Sequence, residues 1–408
     1  MAYAFAILSI GLTADWRLRH EDNGAMHTTL ALSHLHRGLA ETRAHDLFVN
    51  KHTGERTPYG HHPPATALTL AAAFALTGTD TPAVARLTVI AFHIGSVLLL
   101  TAILALLLDD RRGLIGGFVM ATLPMSGYFG RMVNYEPLCL FGIMLQLFGF
   151  VRFKRSGRPW ELAWVVLGIL WGGLVDWPSF FFAGALGFVE AVDLVRRRST
   201  RVTLLLVLVS SSTAVFTFDL WHLWYAGGGA MQALGGVIAS NQPLWQADLT
   251  FGRFIAGQTD TFRRYFTEVG LISILLVVFG LARPGTSLSR RLFDEPSAPV
   301  LRRVLVAGGG AALAYILAAP TWAMMHQYWQ FYFLPSVVIS IVLVWGALEH
   351  AVHERPTRLL RTLQAVVVLD VLIASGYWLE FRHTRPEAYA IEATAKFRST
   401  YLAPRSIP

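Results

Sequence analysis

Two adjacent carboxylates, Glu21 and Asp22, stand in the stretch RHEDNGAMH, a few residues after an apolar N-terminal run. Other polar residues sit at the edges of apolar runs in the same way: His61 and His62 in HHPP, Arg131 and Glu136 in YFGRMVNYEP, Asp176 in LVDWPS, and His326, Gln327 and Tyr328 in PTWAMMHQYWQFYFLP. A carboxylate so placed can take a proton, and a histidine or arginine can hold an anion. An ionisable group beside hydrocarbon is costly unless paired or hydrated, which makes each a functional candidate. Plainer readings stand beside these. Asp22 before Asn23-Gly24 suits a helix cap, Arg131 and Glu136 suit a salt bridge at a helix end, and Asp176 suits an N-cap before Pro178. Trp322, Tyr328, Trp329 and Tyr332 suit an interfacial belt as well as a sugar platform.

The elements that carry these residues follow from composition. The 408 residues are 54% hydrophobic and only 15% charged, and the apolar runs are about 17–25 residues long, so an all-α polytopic membrane protein is expected and not a barrel. Apolar spans are read near 2–14, 83–108, 113–130, 136–151, 160–175, 177–195, 202–224, 266–282, 304–319, 331–349 and 362–379, about eleven in all on a 19-residue window. Basic clusters around Arg111, Arg152, Arg196, Arg290 and Arg358 occupy every second connection. By the positive-inside rule those face the cytoplasm, and all of the polar groups above then share the outer face.

The expected organisation is one transmembrane domain over 1–380, with an external loop 15–82 carrying interfacial helices, a second external loop 225–265 and a short tail 381–408. In the first loop Met26, Leu30, Leu32, Leu35 and Leu39 are spaced for an amphipathic helix lying on the membrane. Pro63 and Pro64 fix an extended entry into an apolar segment that lies along or dips into the interface. The run 2–14 is short for a span, about 20 Å as a helix, which leaves room for a start upstream of Met1; a signal peptide is the rival reading, although no basic n-region precedes the run. The second loop is Gly-rich at GGGAMQALGG and then carries Arg253, Gln258, Arg263 and Arg264, either as a flexible loop with a surface helix or as a cover over a site.

Carboxylates, histidines, arginines and aromatics gathered at the rim of an apolar body suit a lipid-borne anionic substrate. The apolar wall takes the chain, the cations take the phosphate, and a carboxylate acts on the attached group. The single Cys139 gives no disulfide framework or thiolate cluster, and there is no HExxH, Walker loop, GxSxG or dinucleotide fingerprint. The formal charge of +8 lies in short loop clusters, so nucleic acid is not an expected partner.

The order of these features, an acidic pair after the first span, an amphipathic helix, HHPP, an R-x-x-x-x-E-P turn and a late H-x-Y turn, resembles the GT-C superfamily of membrane glycosyltransferases. The likeness is to the bacterial branch related to protein O-mannosyltransferases and lipid A aminoarabinose transferases, over about residues 15–350. It implies an inverting transfer of a hexosyl or pentosyl unit from a polyprenyl-phosphate donor to a hydroxyl of a lipid, glycan or protein acceptor, in a bacterial inner membrane with the site facing the periplasm. It implies Asp22 or Glu21 as catalytic base, Glu136 as the second acidic residue, and His62 and His326 as donor-phosphate contacts; His61, Arg131, Tyr328 and Gln258, on the same outer face, are further candidate donor-phosphate or substrate contacts. A divalent magnesium or manganese ion, if used, is expected on Asp22 and Glu136. Because a polyprenyl phosphate leaves as a stabilised anion, one carboxylate base suffices, where a glycosidase needs an acid as well. A secondary transporter and an inactive GT-C-like scaffold subunit are the alternatives; a transporter is expected to show inverted repeats and midplane charges.

Overall fold

The computed structural model describes residues 2–50, 52–196, 202–226, 235, 250–354, 357–384 and 386–401. Most of loop 225–265, including the Gly-rich stretch, and the chain end at 402–408 lie outside the described residues. The fold is helical apart from one short antiparallel hairpin, β1 (Leu47–Val49) and β2 (Arg56–Pro58). Eight helices among the described residues are long and apolar enough to cross a membrane: Pro82–Leu107, Tyr135–Ser156, Pro178–Val195, Val202–Tyr225, Phe251–Ala282, Ala298–Ala318, Gln327–Glu354 and Arg358–Tyr377.

The other three expected spans are shorter for local reasons. The first, α1 (Ala2–Leu8), ends in turns before Gly11, whose φ is +65°. The run 113–130 is divided by Pro124 into α5 (Asp110–Thr122) and α6 (Pro124–Phe129), because proline supplies no amide hydrogen to continue the ladder. The run 160–175 is α8 (Leu162–Val175), 14 residues long.

The long helices start and stop where the sequence changes character. The helix α4 (Pro82–Leu107) opens with Pro82 and buries Val89, Val97, Leu100 and Leu104 while Leu98 faces outward, 51% exposed. The central helix α7 (Tyr135–Ser156) starts at Asn134 and stops at Gly157, φ +70°. It packs backbone to backbone on α8, since a Cβ on Gly168 would lie 2.5 Å from the Gly142 carbonyl oxygen and one on Gly142 would lie 2.6 Å from the Gly172 nitrogen. Small residues at such a crossing are how helices approach closely when lipid offers no hydrophobic gain.

The basic connections gather at one end of the bundle, where they pair with carboxylates: Arg111 with Glu349 (2.6 Å), Arg112 with Glu295 (2.5 Å), Arg303 with Asp193 (2.5 Å) and Lys154 with Glu190. The opposite end is built by α2 (Asp22–Thr42), α3 (Ala65–Thr77), the hairpin and the helix Ala388–Thr400. Glu387 and Arg398 tie that last helix to the first loop, through Glu387 N to Arg17 O (2.9 Å) and Arg398 to Asp15 (2.7 Å). The helix α2 differs from an amphipathic helix resting on lipid. It buries His27, Thr28, Ser33 and His34 together with Leu30 and Leu32, exposes Leu39 at 57%, and breaks at Gly38, φ +80°. Two of its inward polar groups bond across the protein: His34 Nε2 donates to Asp46 Oδ1 at 3.0 Å and His27 Nε2 bonds Asn134 Oδ1 at 2.9 Å. The helix Phe251–Ala282 is likewise two pieces joined at Thr267, φ +65°, a surface segment and a span.

Candidate functional site

The ends of three helices, α2, α7 and α9 (Pro178–Val195), all by their N-termini, converge on a cavity of about 610 Å³ of water-accessible space. Helix N-termini carry partial positive charge and unpaired N–H groups, which favour anions. One wall is aromatic and apolar: Trp177, Phe181, Phe216, Leu220, Tyr315, Trp322 and Trp329. The polar part comprises Asn23, His61, His62, Asn134, Glu136 and His326, with Tyr59, Tyr135 and Tyr328 among them. Of the residues expected from the sequence, His61, His62, Glu136, His326 and Tyr328 thus line one cavity; Asp22 is not among its lining residues, although the next residue, Asn23, is.

The acidic pair is divided in role by its surroundings. Glu21, 7% exposed, receives Arg86 Nη2 and Arg131 Nη2 on Oε1, both at 3.1 Å, and the Arg17 and Leu18 amides on Oε2 at 3.1 and 3.0 Å. Arg131 therefore pairs with Glu21 and not with Glu136, and neither Arg131 nor Glu21 lines the cavity. Asp22 opens α2, and its Oδ1 is buried with no hydrogen-bond partner. Burial, and secondarily the charge of Glu387, holds its pKa above the usual carboxylate value. A carboxylate so raised retains a basic oxygen and is better matched to proton abstraction near neutral pH. The residue before the pair, His20, has φ +62° and lies edge-on to Tyr328 at 5.0 Å. Such a backbone conformation is uncommon outside glycine and is often held at functional turns.

Glu136 stands in the first turn of α7, 2% exposed, with Oε2 free of any hydrogen bond among the described residues. Beside it Asn134 accepts from His27 Nε2 at 2.9 Å. Burial, only partly offset by that bond, depresses the pKa of His27 to about 4, which keeps it neutral.

His62 is oriented by a residue 114 positions away. Its Nδ1 donates to Asp176 Oδ1 at 2.8 Å, and its ring stacks on Tyr135 with centroids 4.2 Å apart. Asp176 also accepts from its neighbour's amide, Trp177 N, at 2.8 Å on Oδ1 and from Tyr332 Oη at 3.1 Å on Oδ2. It forms no cap on α9. The carboxylate is thus a buried anchor for His62, and the other ring nitrogen, Nε2, has no hydrogen-bond partner among the described residues. The Trp177 indole donates to the His61 carbonyl at 2.7 Å, fixing the HHPP strand against the same turn.

The late turn is built by Pro320–Met325 and a 3-10 segment, Gln327–Phe333. His326 stacks on Trp322 at 5.2 Å and 6° and is hydrogen-bonded through Nδ1 to Tyr328 Oη at 2.8 Å. Burial first, then the nearby charge of His62, takes the His326 pKa down to about 4. The same two causes lower His61. Gln258 lies behind this turn and not in the cavity wall: its Nε2 donates to Ala323 O at 3.2 Å, and its Oε1 accepts from Gln330 Nε2 at 2.5 Å.

A divalent ion on Asp22 and Glu136 finds little support in the donor set. Each offers one unused oxygen, but among the described residues no group of three His, Cys, Asp or Glu is arranged to hold a metal.

Residues 61–176, from His61 to Asp176, match the family model described as dolichyl-phosphate-mannose-protein mannosyltransferase. No curated protein matches the sequence. Solved structures do match in fold. The apo oligosaccharyltransferase of Archaeoglobus fulgidus is 11% identical with a TM-score of 0.58, over 99% of this chain and 59% of that one. The oligosaccharyltransferase AglB from Archaeoglobus fulgidus, in complex with an inhibitory peptide and a dolichol-phosphate, is 13% identical with a TM-score of 0.55, over 99% and 60%. ArnT from Cupriavidus metallidurans bound to undecaprenyl phosphate is 12% identical with a TM-score of 0.53, over 97% and 68%. The chain spans about 59% of the length of the first of these. With eight membrane-length apolar helices among the described residues and this likeness, the chain is an integral membrane protein with the fold of GT-C glycosyltransferases.

Proposed function

We propose that the protein is an inverting glycosyltransferase that moves a sugar from a polyprenyl-phosphate donor to an acceptor hydroxyl at the outer face of a bacterial inner membrane. The observation that carries the reading is one cavity with an aromatic, apolar wall on one side and unpaired carboxylate oxygen, histidines and helix N-termini on the other. The isoprenoid lies along Phe181, Phe216 and Leu220, and the sugar lies among Trp322, Trp329 and Tyr315. The ArnT and AglB structures that share the fold were solved with undecaprenyl phosphate and dolichol-phosphate, which agrees with a lipid-phosphate donor here.

In this reading Asp22 takes the proton of the acceptor hydroxyl as its oxygen attacks the anomeric carbon. The bond from that carbon to the phosphate oxygen breaks, and its electron pair leaves on the phosphate. Displacement from the opposite face inverts the anomeric centre. Glu136, in the cavity wall, orients the incoming hydroxyl, and the converging helix ends stabilise the developing phosphate charge in a poorly hydrated site. Glu21 stays outside the reacting atoms as the counter-charge of Arg86 and Arg131. The test is reconstitution with a panel of polyprenyl-phosphate sugars. Release of polyprenyl phosphate from one of them, with the product anomer inverted, is the expected result. Release that persists unchanged in Asp22→Asn removes the assigned base.

A further inference from the structure

The cavity wall has an unusual charge inventory for an anion site. No lysine or arginine among the described residues lines it. The two buried arginines nearest the acidic pair are already engaged: Arg86 with Glu21 and the carbonyls of Gly11, Leu12 and Ala14, and Arg131 with Glu21. What lines the cavity instead are three imidazoles, His61, His62 and His326, drawn from loops 264 positions apart between His62 and His326. Taking these imidazoles as the contacts of the donor's phosphate, we propose that they gain protons as it binds and that Asp176 is the positioning residue that fixes His62 for it. This deepens the donor reading above and rests on it.

The geometry supplies the parts. His62 Nδ1 is committed to Asp176 (2.8 Å), and Asp176 is itself held by Tyr332 Oη (3.1 Å), so the ring presents Nε2 as its remaining nitrogen. A carboxylate behind one ring nitrogen both sets the tautomer and stabilises the imidazolium, as in hydrogen-bonded histidines that serve as bases or ligands. Around His62 stand Asp176, Tyr135 on one face at 4.2 Å, Tyr59 at 6.1 Å and, at longer range, His61, His27 and Asp46. Around His326 stand Tyr328 at 2.8 Å and His20, with ring centroids 6.3 Å apart, and Glu136 lines the same cavity. With no anion present, burial first and the nearby His62 second lower the pKa of both His61 and His326, that of His326 to about 4. A phosphate placed among them reverses that balance, because an opposite charge in contact favours the protonated form.

The linkage sign follows. The bound state holds more protons than the free state, so affinity is greatest at low pH and falls as pH rises through the bound-state pKa values, by about tenfold per pH unit for each proton taken up. A fixed cation in place of a histidine removes that slope.

The experiment measures binding of undecaprenyl methyl phosphate to the full-length protein in nanodiscs between pH 5.5 and 8.5. This diester carries one negative charge that does not titrate in the range, so the slope reports the protein alone. Calorimetry in two buffers of different ionisation heat counts the protons. The expected results are net proton uptake, Kd rising by about tenfold per pH unit for one proton, and a flattened slope with retained binding at pH 8.5 in His62→Lys. Asp176→Asn is expected to lower the proton uptake and to move the His62 15N signals away from a single Nδ1–H tautomer. Binding independent of pH with no proton uptake overturns the proposal and leaves the lipid-donor reading standing. Absence of diester binding at every pH overturns both. An Asp176→Asn protein with unchanged uptake and unchanged 15N signals removes Asp176 from the role.

Discussion

Replacing Glu21 by glutamine tests how the acidic pair divides its labour. The carboxylate is 7% exposed and accepts four hydrogen bonds, two from guanidinium groups and two from the Arg17 and Leu18 amides. Arg86 is itself 1% exposed and Arg131 2% exposed, so glutamine leaves two buried cations facing each other without their shared anion. Breaking one partner of a buried pair costs about 3–5 kcal/mol. That is a large part of the 5–15 kcal/mol typical of a folded protein. Glu21→Gln is therefore expected to lower the yield of monodisperse protein and its Tm in detergent sharply. Asp22→Asn, one residue on, removes a charge that has no ion-pair partner and is expected to leave Tm within a few degrees. The assay is fluorescence-detected size exclusion and thermal unfolding of both variants beside the wild type, followed by transfer activity on the folded fraction. A Glu21→Gln protein that is fully stable but inactive, beside an active Asp22→Asn, refutes the division and exchanges the two roles.

Other expectations follow from single features. His27 is fully buried and held neutral with a pKa near 4, below its unfolded value of 6.5, so the unfolded state binds the extra proton first and stability declines as pH falls from about 6.5 to 4. The decline is worth roughly 3 kcal/mol for this site and is read as a drop in Tm between pH 7.5 and 4.5 that His27→Gln reduces; an equal drop in that variant contradicts it. Gly168→Ala places a Cβ 2.5 Å from the Gly142 carbonyl oxygen and is expected to destabilise by about 1–3 kcal/mol, measured by thermal unfolding, with unchanged Tm as the contrary result. Trp322→Ala removes the ring stacked on His326 and part of the aromatic wall, so KM for the donor is expected to rise on the order of tenfold for a loss of about 1.5 kcal/mol, while a variant with unchanged KM places the sugar elsewhere.

Much of this arrangement was legible in the sequence because hydropathy and charge act locally. The long apolar runs became helices, the basic connections gathered at one end, and His61, His62, Glu136, His326 and Tyr328 met at the other. Three spans shortened where Pro124, the turns before Gly11 and the 14-residue length of α8 intervened, which a window average over apolar residues does not register. What sequence spacing could not carry was partner choice across the bundle. Glu21 meets Arg86 and Arg131 at separations of 65 and 110 residues, and Asp176 meets His62 at 114. Those pairings are decided by which helix ends pack together, so the Arg131–Glu136 bridge that proximity suggested gave way to a longer-range one. Gln258 lies behind the His326 turn for the same reason, its amide satisfied by Ala323 and Gln330. His20, Asn23 and Asn134 entered the site without a motif of their own, carried there by the start of α2 and the turn before α7.

The most direct test is lipid analysis of membranes that contain the wild-type protein, Asp22→Asn, or no protein. Accumulation of one polyprenyl-phosphate sugar in the absence of the protein and in Asp22→Asn, relieved by the wild type, is the predicted result. Identical lipid-linked sugars in all three, together with uptake of a soluble solute that requires the protein, would contradict the glycosyltransferase account.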